Sequence, residues 1–257
     1  MLQVFCHFFK SSEDVLRSTW LLPLPSLSAV GYDTGCMETT LHRQLKALYA
    51  GPEACVEQRI SGFRIDAVCS DRLIEIQHGS LAAIRTKIAR LLESHDVLVV
   101  KPLVVRKQLV RLAKLGGKEV SRRLSPKQGS LLDLFHELIY FTRVFPHPRL
   151  MLQAPLVEVE ERRYPGHGRR RRWRRNDFVV EDQRLLAVIG VHQFQAASDL
   201  HSLLPCDLPV PFHSGHVADG LGIRRWIAQR IVYCLRKTGA AETCGKSGNT
   251  LLYKKVA

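Results

Sequence analysis

No stretch of this sequence approaches the roughly 18–20 consecutive apolar residues that a helix needs to cross a bilayer. Near the start, the apolar stretch Trp20–Leu24 is broken by Pro23 and Pro25 and preceded by Glu13 and Asp14. A secretory signal wants a basic region followed by an uninterrupted apolar one, so this layout excludes one. Zinc-ligand spacing is also missing. The seven cysteines (Cys6, Cys36, Cys55, Cys69, Cys206, Cys234 and Cys244) form no CxxC and no Cys/His cluster. An odd, scattered set reads as reduced thiols in a cytoplasm, with no structural metal. No glycine-rich loop resembles a phosphate cradle, no Ser/His/Asp set has support, and no segment repeats. Acidic residues are scarce as well: 24 Asp and Glu face 38 Lys and Arg, a formal net charge of +14.

That imbalance favours a polyanionic partner, because each phosphate neutralised by Lys or Arg releases condensed counterions. Nucleic acid is the commonest such partner, although charge alone also allows a ribosomal or membrane-surface role. The 257 residues are 46% hydrophobic, enough for one large domain or two small ones. The expectation is a soluble, cytoplasmic, nucleoid-associated protein that binds DNA, duplex or branched, without a membrane.

Residues 1–36 lack a clean period and are expected to be a poorly ordered extension, with Met37 as a candidate true start. From there the pattern is orderly. Thr39–Ala50 reads as an amphipathic helix with Leu41, Leu45 and Leu48 at helical spacing and Gly51-Pro52 at its end. Three short strands follow, Cys55–Ile60, Arg64–Cys69 and Arg72–Gln77, with turns at Ser61-Gly62 and Ser70-Asp71. Ser80–Ser94 is a second helix and Asp96–Val105 a buried strand. Leu109–Arg123, basic and interrupted by Gly116-Gly117, reads as a connector. A helix over Ser130–Val144 and a strand over Leu150–Glu160 are expected next, and Asp177–Leu186 starts another element. The boundaries are therefore 37–124 for a first domain, 125–205 for an α+β middle region, and 206–257 for a C-terminal module.

The C-terminal order is a short helix near His216–Leu221, a turn at Gly222, a longer helix over Ile223–Thr238, and two strands around the tip Gly245-Lys246-Ser247-Gly248-Asn249. With Ala218-x-x-Leu221-Gly222-Ile223 and the apolar set Ile227, Ile231, Val232 and Leu235, this segment resembles the winged helix-turn-helix domains of bacterial regulators. The resemblance implies that the second helix enters the major groove and the wing tracks phosphate. Arg224, Arg225 and Gln229 then sit where base edges and phosphates are met, and Lys246 meets phosphate at the wing. A solvated helix face on a protein-binding module is the bland alternative. Trp226 reads as packing rather than base stacking.

In GFRIDAVCSDRLIEIQ, residues 62–77, Asp66 lies on one strand candidate and Glu75 and Gln77 share a face of the next. If the turn at Ser70-Asp71 makes a hairpin, the Asp66 and Glu75 carboxylates converge, and two close carboxylates suit Mg²⁺ or Mn²⁺. The bland reading is an open sheet face with solvated acids. The region resembles the PD-(D/E)XK nuclease superfamily, whose core is a helix, three strands, a helix and a fourth strand. The match is Asp66, then Glu75-Ile76-Gln77. Ile65 replaces the signature proline and Gln77 the lysine. The resemblance implies a restriction-endonuclease-like αβββαβ core with Asp66 and Glu75 as metal ligands and Gln77 positioning water. Lys87 on the following helix is placed to substitute for the missing cation. Glu38 matches the acid that archaeal Holliday-junction resolvases carry on the first helix, and Glu57 is its alternative. His78 is a candidate proton or phosphate partner, or simply a strand-end residue. His167 reads as a turn residue.

Arg169, Arg170, Arg171, Arg172, Arg174 and Arg175, with Trp173 among them, are the most concentrated charge. They read as a nucleic-acid clamp, with a solvated loop as the plain alternative. The whole reading is an α/β protein: a restriction-endonuclease-like core, an α+β region and a terminal winged helix-turn-helix, hydrolysing DNA with Mg²⁺ or Mn²⁺. Restriction-like enzymes and resolvases are often dimers, so the resemblance allows a homodimer, though no dimer helix is legible. A non-enzymatic DNA-binding regulator on a retired nuclease fold is the first alternative. A protein binding structured RNA is the second.

Overall fold

The computed structural model describes residues 38–51, 55–69, 72–166 and 177–256. The N-terminal extension, the candidate start at Met37, the turn at Ser70-Asp71, His167 and the arginine run from Arg169 to Arg175 lie outside the described residues.

The fold is mixed α/β and mostly sheet. Helix α1 (Thr40–Ala50) begins where the Thr39 side chain accepts the His42 N–H, and it stops at Gly51, whose φ of +67° ends the helical path. Leu41 and Leu45 are buried, while Leu48 is exposed. Strands β1 (Cys55–Ile60), β2 (Phe63–Cys69) and β3 (Arg72–Ile76) form an antiparallel meander. The helix expected over 80–94 is shorter. Ser80 caps a 3-10 turn at Leu81–Ala83, and α2 (Arg85–Leu91) follows. The chain then returns as β4 (Asp96–Val100), parallel to β3.

The strand expected as 96–105 is two strands. Pro102 has no N–H to give the ladder, and β5 (Leu103–Leu112) restarts beyond it. Both run along one side of β7 (Leu150–Pro165), β4 beside Leu150–Gln153 and β5 beside Leu156–Arg163. The segment 109–123, expected as a basic connector, is instead part of the sheet. It holds the end of β5 and most of β6 (Glu119–Leu124), an antiparallel hairpin that turns at Gly116 with φ +64°. Its charges suggested a linker because all of β6 is solvent-exposed. The helix expected over 130–144 contracts to a 3-10 turn and α3 (Leu134–Leu138). Strand β8 (Phe178–Phe194) pairs with β7 over its whole length. The span 150–194 therefore continues the same sheet as the first half.

Apolar layers cover both faces. On one, Leu41 and Leu45 of α1 pack with Ile74, Ile76, Leu98, Val100, Val157 and Val159. On the other, residues of α2, α3 and the C-terminal segment share a single core with the sheet, including Ile88, Phe135, Leu152, Phe194, Ile231 and Leu235. The C-terminal segment runs from a 3-10 helix at Ala197–Leu203 to α4 (Ser214–Leu221) and α5 (Arg225–Thr238), separated by Gly222 with φ +62°. Strands β9 (Ala241–Ser247) and β10 (Thr250–Lys255) close it. Ser247 pairs with Thr250, so the five-residue tip expected from the sequence is a two-residue turn at Gly248-Asn249. No helix among the described residues is long and apolar enough to cross a membrane.

Candidate active site

The β2–β3 hairpin opens at its far end. Pairing runs from Cys69↔Arg72 to Ala67↔Ile74 and then stops, although the same register would set Asp66 opposite Glu75. Beyond that point β3 is bonded to β4, while β2 remains with β1. Where the two strands part, Ile76 N–H would lose its sheet partner. The Asp66 carboxylate fills the gap, with Oδ2 accepting that N–H at 2.8 Å. A carboxylate is thereby fixed inside the fork by the backbone it caps.

Two further groups define the surroundings of Asp66. His42 Nε2 lies 3.1 Å from its Oδ1 and 3.4 Å from Glu38 Oε1. Lys46, one helical turn on, contacts Glu38 at 2.6 Å and Glu57 at 2.9 Å. Burial opposes ionisation of Asp66, but the hydrogen bonds from His42 and from Ile76 N–H outweigh it, and its pKa is lowered. Glu75 has the opposite fate. Burial and then the neighbouring Asp66 charge raise its pKa, although Lys87 works against them. Lys87 Nζ sits 2.6 Å from Glu75 Oε2 and also donates to the Arg64 carbonyl. Arg64 reaches Glu57 at 2.6 Å. The carboxylates of Glu38, Glu57, Asp66 and Glu75 are thus linked by His42, Lys46, Arg64 and Lys87 in one partly buried network. Glu57 has φ +58°, outside ordinary strand geometry, and is skipped in the β1–β2 register.

Asp66, Glu75 and Lys87 come together. Glu38 and Glu57 both join the network rather than one replacing the other. Gln77 follows β3, and its side chain donates to the Ser80 carbonyl at 2.9 Å. His78 is held through its carbonyl, which accepts from Lys101 Nζ at 3.0 Å. Lys101 also donates to the Gly79 carbonyl and faces Glu137 at 3.7 Å. Burial, then Lys101 and Lys107, lower the His78 pKa. Sequence reasoning missed His42, Lys46 and Lys101. The i, i+4 spacing of Glu38, just ahead of the first helix, with His42 and Lys46 on it was a visible signal for two of them. Lys101 gave none beyond its place before a proline.

Among the described residues no three His, Cys, Asp or Glu side chains converge as a ready-made metal cage. Mg²⁺ does not require one. It commonly takes one or two carboxylates and fills its octahedron with water and substrate oxygens. Glu75, buried and with its pKa raised by burial first and then by the Asp66 charge, and the partly buried Asp66 across the fork are carboxylates of that kind.

At the C-terminal end the His213 ring caps α4 by accepting the N–H groups of Gly215 and His216. On α5 the buried face is Ala228, Ile231, Val232 and Leu235. Arg224 and, on α5, Arg225, Trp226, Gln229, Tyr233 and Arg236 are exposed, as is Lys246 on β9. Trp226 keeps 48% of its surface accessible and lies against His136 and Arg230, so it packs on one edge only. Phe212 bridges to Tyr253, which adds a short third strand to the β9–β10 pair.

The fold and site define a mixed α/β protein with a buried and a partly buried carboxylate at a sheet fork and an exposed basic helix at its C-terminal end. The chain belongs to the family described as Domain of unknown function (DUF8091), which matches residues 39–195, more than half of the sequence. That span holds Asp66, Glu75 and Lys87 and ends before α4. The chain is also 31% identical over 222 residues to an uncharacterized protein of Treponema pallidum (strain Nichols), covering 86% of each chain. No solved structure matches this chain.

Proposed function

We propose that this protein is a divalent-metal-dependent nuclease that hydrolyses phosphodiester bonds in DNA. The observation that carries the reading is the fork: Asp66 capped into the backbone of β3, Glu75 beside it, and Lys87 within 2.6 Å of Glu75. The order of elements supports it. A helix, an antiparallel three-strand meander, a crossover helix and a parallel fourth strand are the core of the PD-(D/E)XK superfamily that the sequence resembles. Asp66 and Glu75 are the residues that would hold Mg²⁺ or Mn²⁺. When bound, the ion supplies Lewis-acid activation of water and neutralises charge at the scissile phosphate. Lys87 pairs with Glu75 at 2.6 Å and is the cation that, on this reading, replaces the motif lysine. The Gln77 amide donates to the Ser80 carbonyl, and Lys87 is the cation bonded to Glu75. His42 fixes Asp66 from the helix side and keeps its carboxylate ionised.

The C-terminal segment supports DNA as substrate. A 3-10 helix, a short strand at Phe212, α4, α5 and the β9–β10 hairpin follow the winged-helix order, with the short strand pairing to the last one. Arg224, Arg225 and Gln229 would meet the duplex, and Lys246 the phosphate backbone. Gln77 in place of the motif lysine favours a second reading, a DNA-binding regulator whose nuclease centre is retired. Cleavage of supercoiled plasmid and of branched DNA in Mg²⁺ or Mn²⁺, wild type beside Asp66→Ala, separates the two. Cutting that disappears in the variant supports the nuclease. DNA binding without cutting in either protein supports the regulator.

A further inference from the structure

The far end of the sheet carries a second charged site, remote from the fork in sequence. The β5–β6 hairpin and the outer ends of β7 and β8 enclose a groove of about 520 Å³. The groove's size suits a ligand of small-molecule dimensions. Its basic side chains are Arg111, Arg123 and Arg163, with Phe178 at the rim. Strand register sets Arg111 directly beside Arg163, and Ser121 on its other side. Two like charges in neighbouring register positions destabilise a sheet unless an anion lies between them.

The two faces of this end of the sheet differ in how their arginines are treated. On one, Arg122 is bonded to Glu119 at 2.9 Å and Glu160 at 2.8 Å, and Arg162 to Glu181 at 3.3 Å. In the groove, Arg163 pairs with Glu161 and sets its guanidinium carbon over the Phe178 ring, 3.9 Å from its centroid. Arg111 and Arg123 are exposed and make no ion pair among the described residues. One face is neutralised from within, and the other presents two uncommitted guanidinium groups beside a stacked cation–aromatic pair. Asp177 also lines the groove, with its carboxylate packed over Gly166.

We propose that this groove holds a single strand of nucleic acid, with Arg111 and Arg123 on its phosphates and the Arg163–Phe178 stack as the platform for a base. Uncommitted arginines call for phosphate, and a stacking surface calls for a base whose face is free. Bases inside a duplex are stacked on one another and cannot reach such a ring. The inference rests on the nucleic-acid reading of the protein but not on catalysis.

The test is fluorescence anisotropy of the full chain in EDTA, using labelled oligo(dT) of about twenty nucleotides and a duplex of equal length. Wild type is compared with Arg111→Ala/Arg123→Ala and with Phe178→Ala. Expected is a loss of at least about 10-fold for oligo(dT) in the double variant, with the log–log salt slope shallower by about 1.4, because each single-strand phosphate contact contributes about 0.7. Phe178→Ala should lose about 5-fold or more, and duplex affinity should hold. The melting temperature of the double variant should not fall, since it removes a like-charge contact at exposed positions. Equal losses for duplex and single strand would overturn the single-strand assignment. Unchanged oligo(dT) binding would overturn the groove alone. Competition by deoxythymidine monophosphate as effective as by oligo(dT) would replace the strand with a free nucleotide. Failure of the wild type to bind either DNA would sink the nucleic-acid reading itself.

Discussion

Asp66→Asn probes the fork without changing its shape. The wild-type carboxylate accepts two hydrogen bonds, from Ile76 N–H at 2.8 Å and from His42 Nε2 at 3.1 Å, and its side chain is only 20% exposed. Asparagine keeps one acceptor oxygen for Ile76 and turns an amide toward His42. Two charge-assisted bonds become neutral ones, a loss of about 1 kcal/mol each. Lower desolvation of the neutral side chain and relief of its repulsion with Glu75 return part of this. The net cost should be about 1–2 kcal/mol, a fall in Tm of roughly 2–8 °C for a chain of this size. The sign with pH follows from linkage. The Asp66 pKa is lowered in the fold, so its stabilisation is complete above its ordinary value of 3.8 and is lost as pH falls through the folded value. Urea unfolding of both proteins should therefore show a constant gap from neutral pH down to about pH 5, closing below about pH 4. A variant as stable as wild type at neutral pH, or a gap indifferent to acid, would refute the anchoring of Asp66.

Glu75 should behave oppositely. Its pKa is raised in the fold, so its contribution is present below the ordinary carboxylate value and is lost as pH rises through the folded one. Without metal, Glu75→Gln should melt no lower than wild type near neutral pH. In Mg²⁺ at about a hundred times its Kd, wild type should gain about 2.7 kcal/mol and the variant little, read by thermal shift. Lys101→Met should cost about 3 kcal/mol or more in urea unfolding, because the carbonyls of His78 and Gly79 and the Glu137 carboxylate lose a buried cation. Arg225→Ala and Lys246→Ala should each lower the duplex log–log salt slope by about 0.9 if they meet phosphate. Equal slopes across a salt titration would remove them from the interface.

How far the sequence disclosed this structure depends on which interactions decide each element. The first helix and the three strands were legible because local chemistry agrees with the fold there: Thr39 caps, Gly51 stops, and Ile65, Ala67, Leu73 and Ile74 supply the apolar positions. Asp66 and Glu75 stood out through the order of elements around them, since acids alternate on any solvated strand and their spacing alone marks little. What was not legible depends on distant partners. Residues 109–123 look like a linker until β7 is placed beside β5, because their alternation is masked by charge on an exposed hairpin. The long β7–β8 pair sits across the first half of the sheet, and nothing local announces that return. His42 and Lys46 lie on a helix face that reads as solvated until Asp66 and Glu57 are brought under it.

The central claim is that the fork between β2 and β3 is a phosphodiesterase centre. It is tested most directly by single-turnover cleavage of supercoiled plasmid in Mg²⁺ and in Mn²⁺, with wild type, Asp66→Asn, Glu75→Gln and Lys87→Ala side by side and DNA affinity measured for each. The account predicts that wild type cuts only with divalent ion, and that each variant falls by about 100-fold or more while still binding DNA. Cutting by Asp66→Asn at the wild-type rate, or an uncut plasmid in every ion with DNA bound, would contradict it.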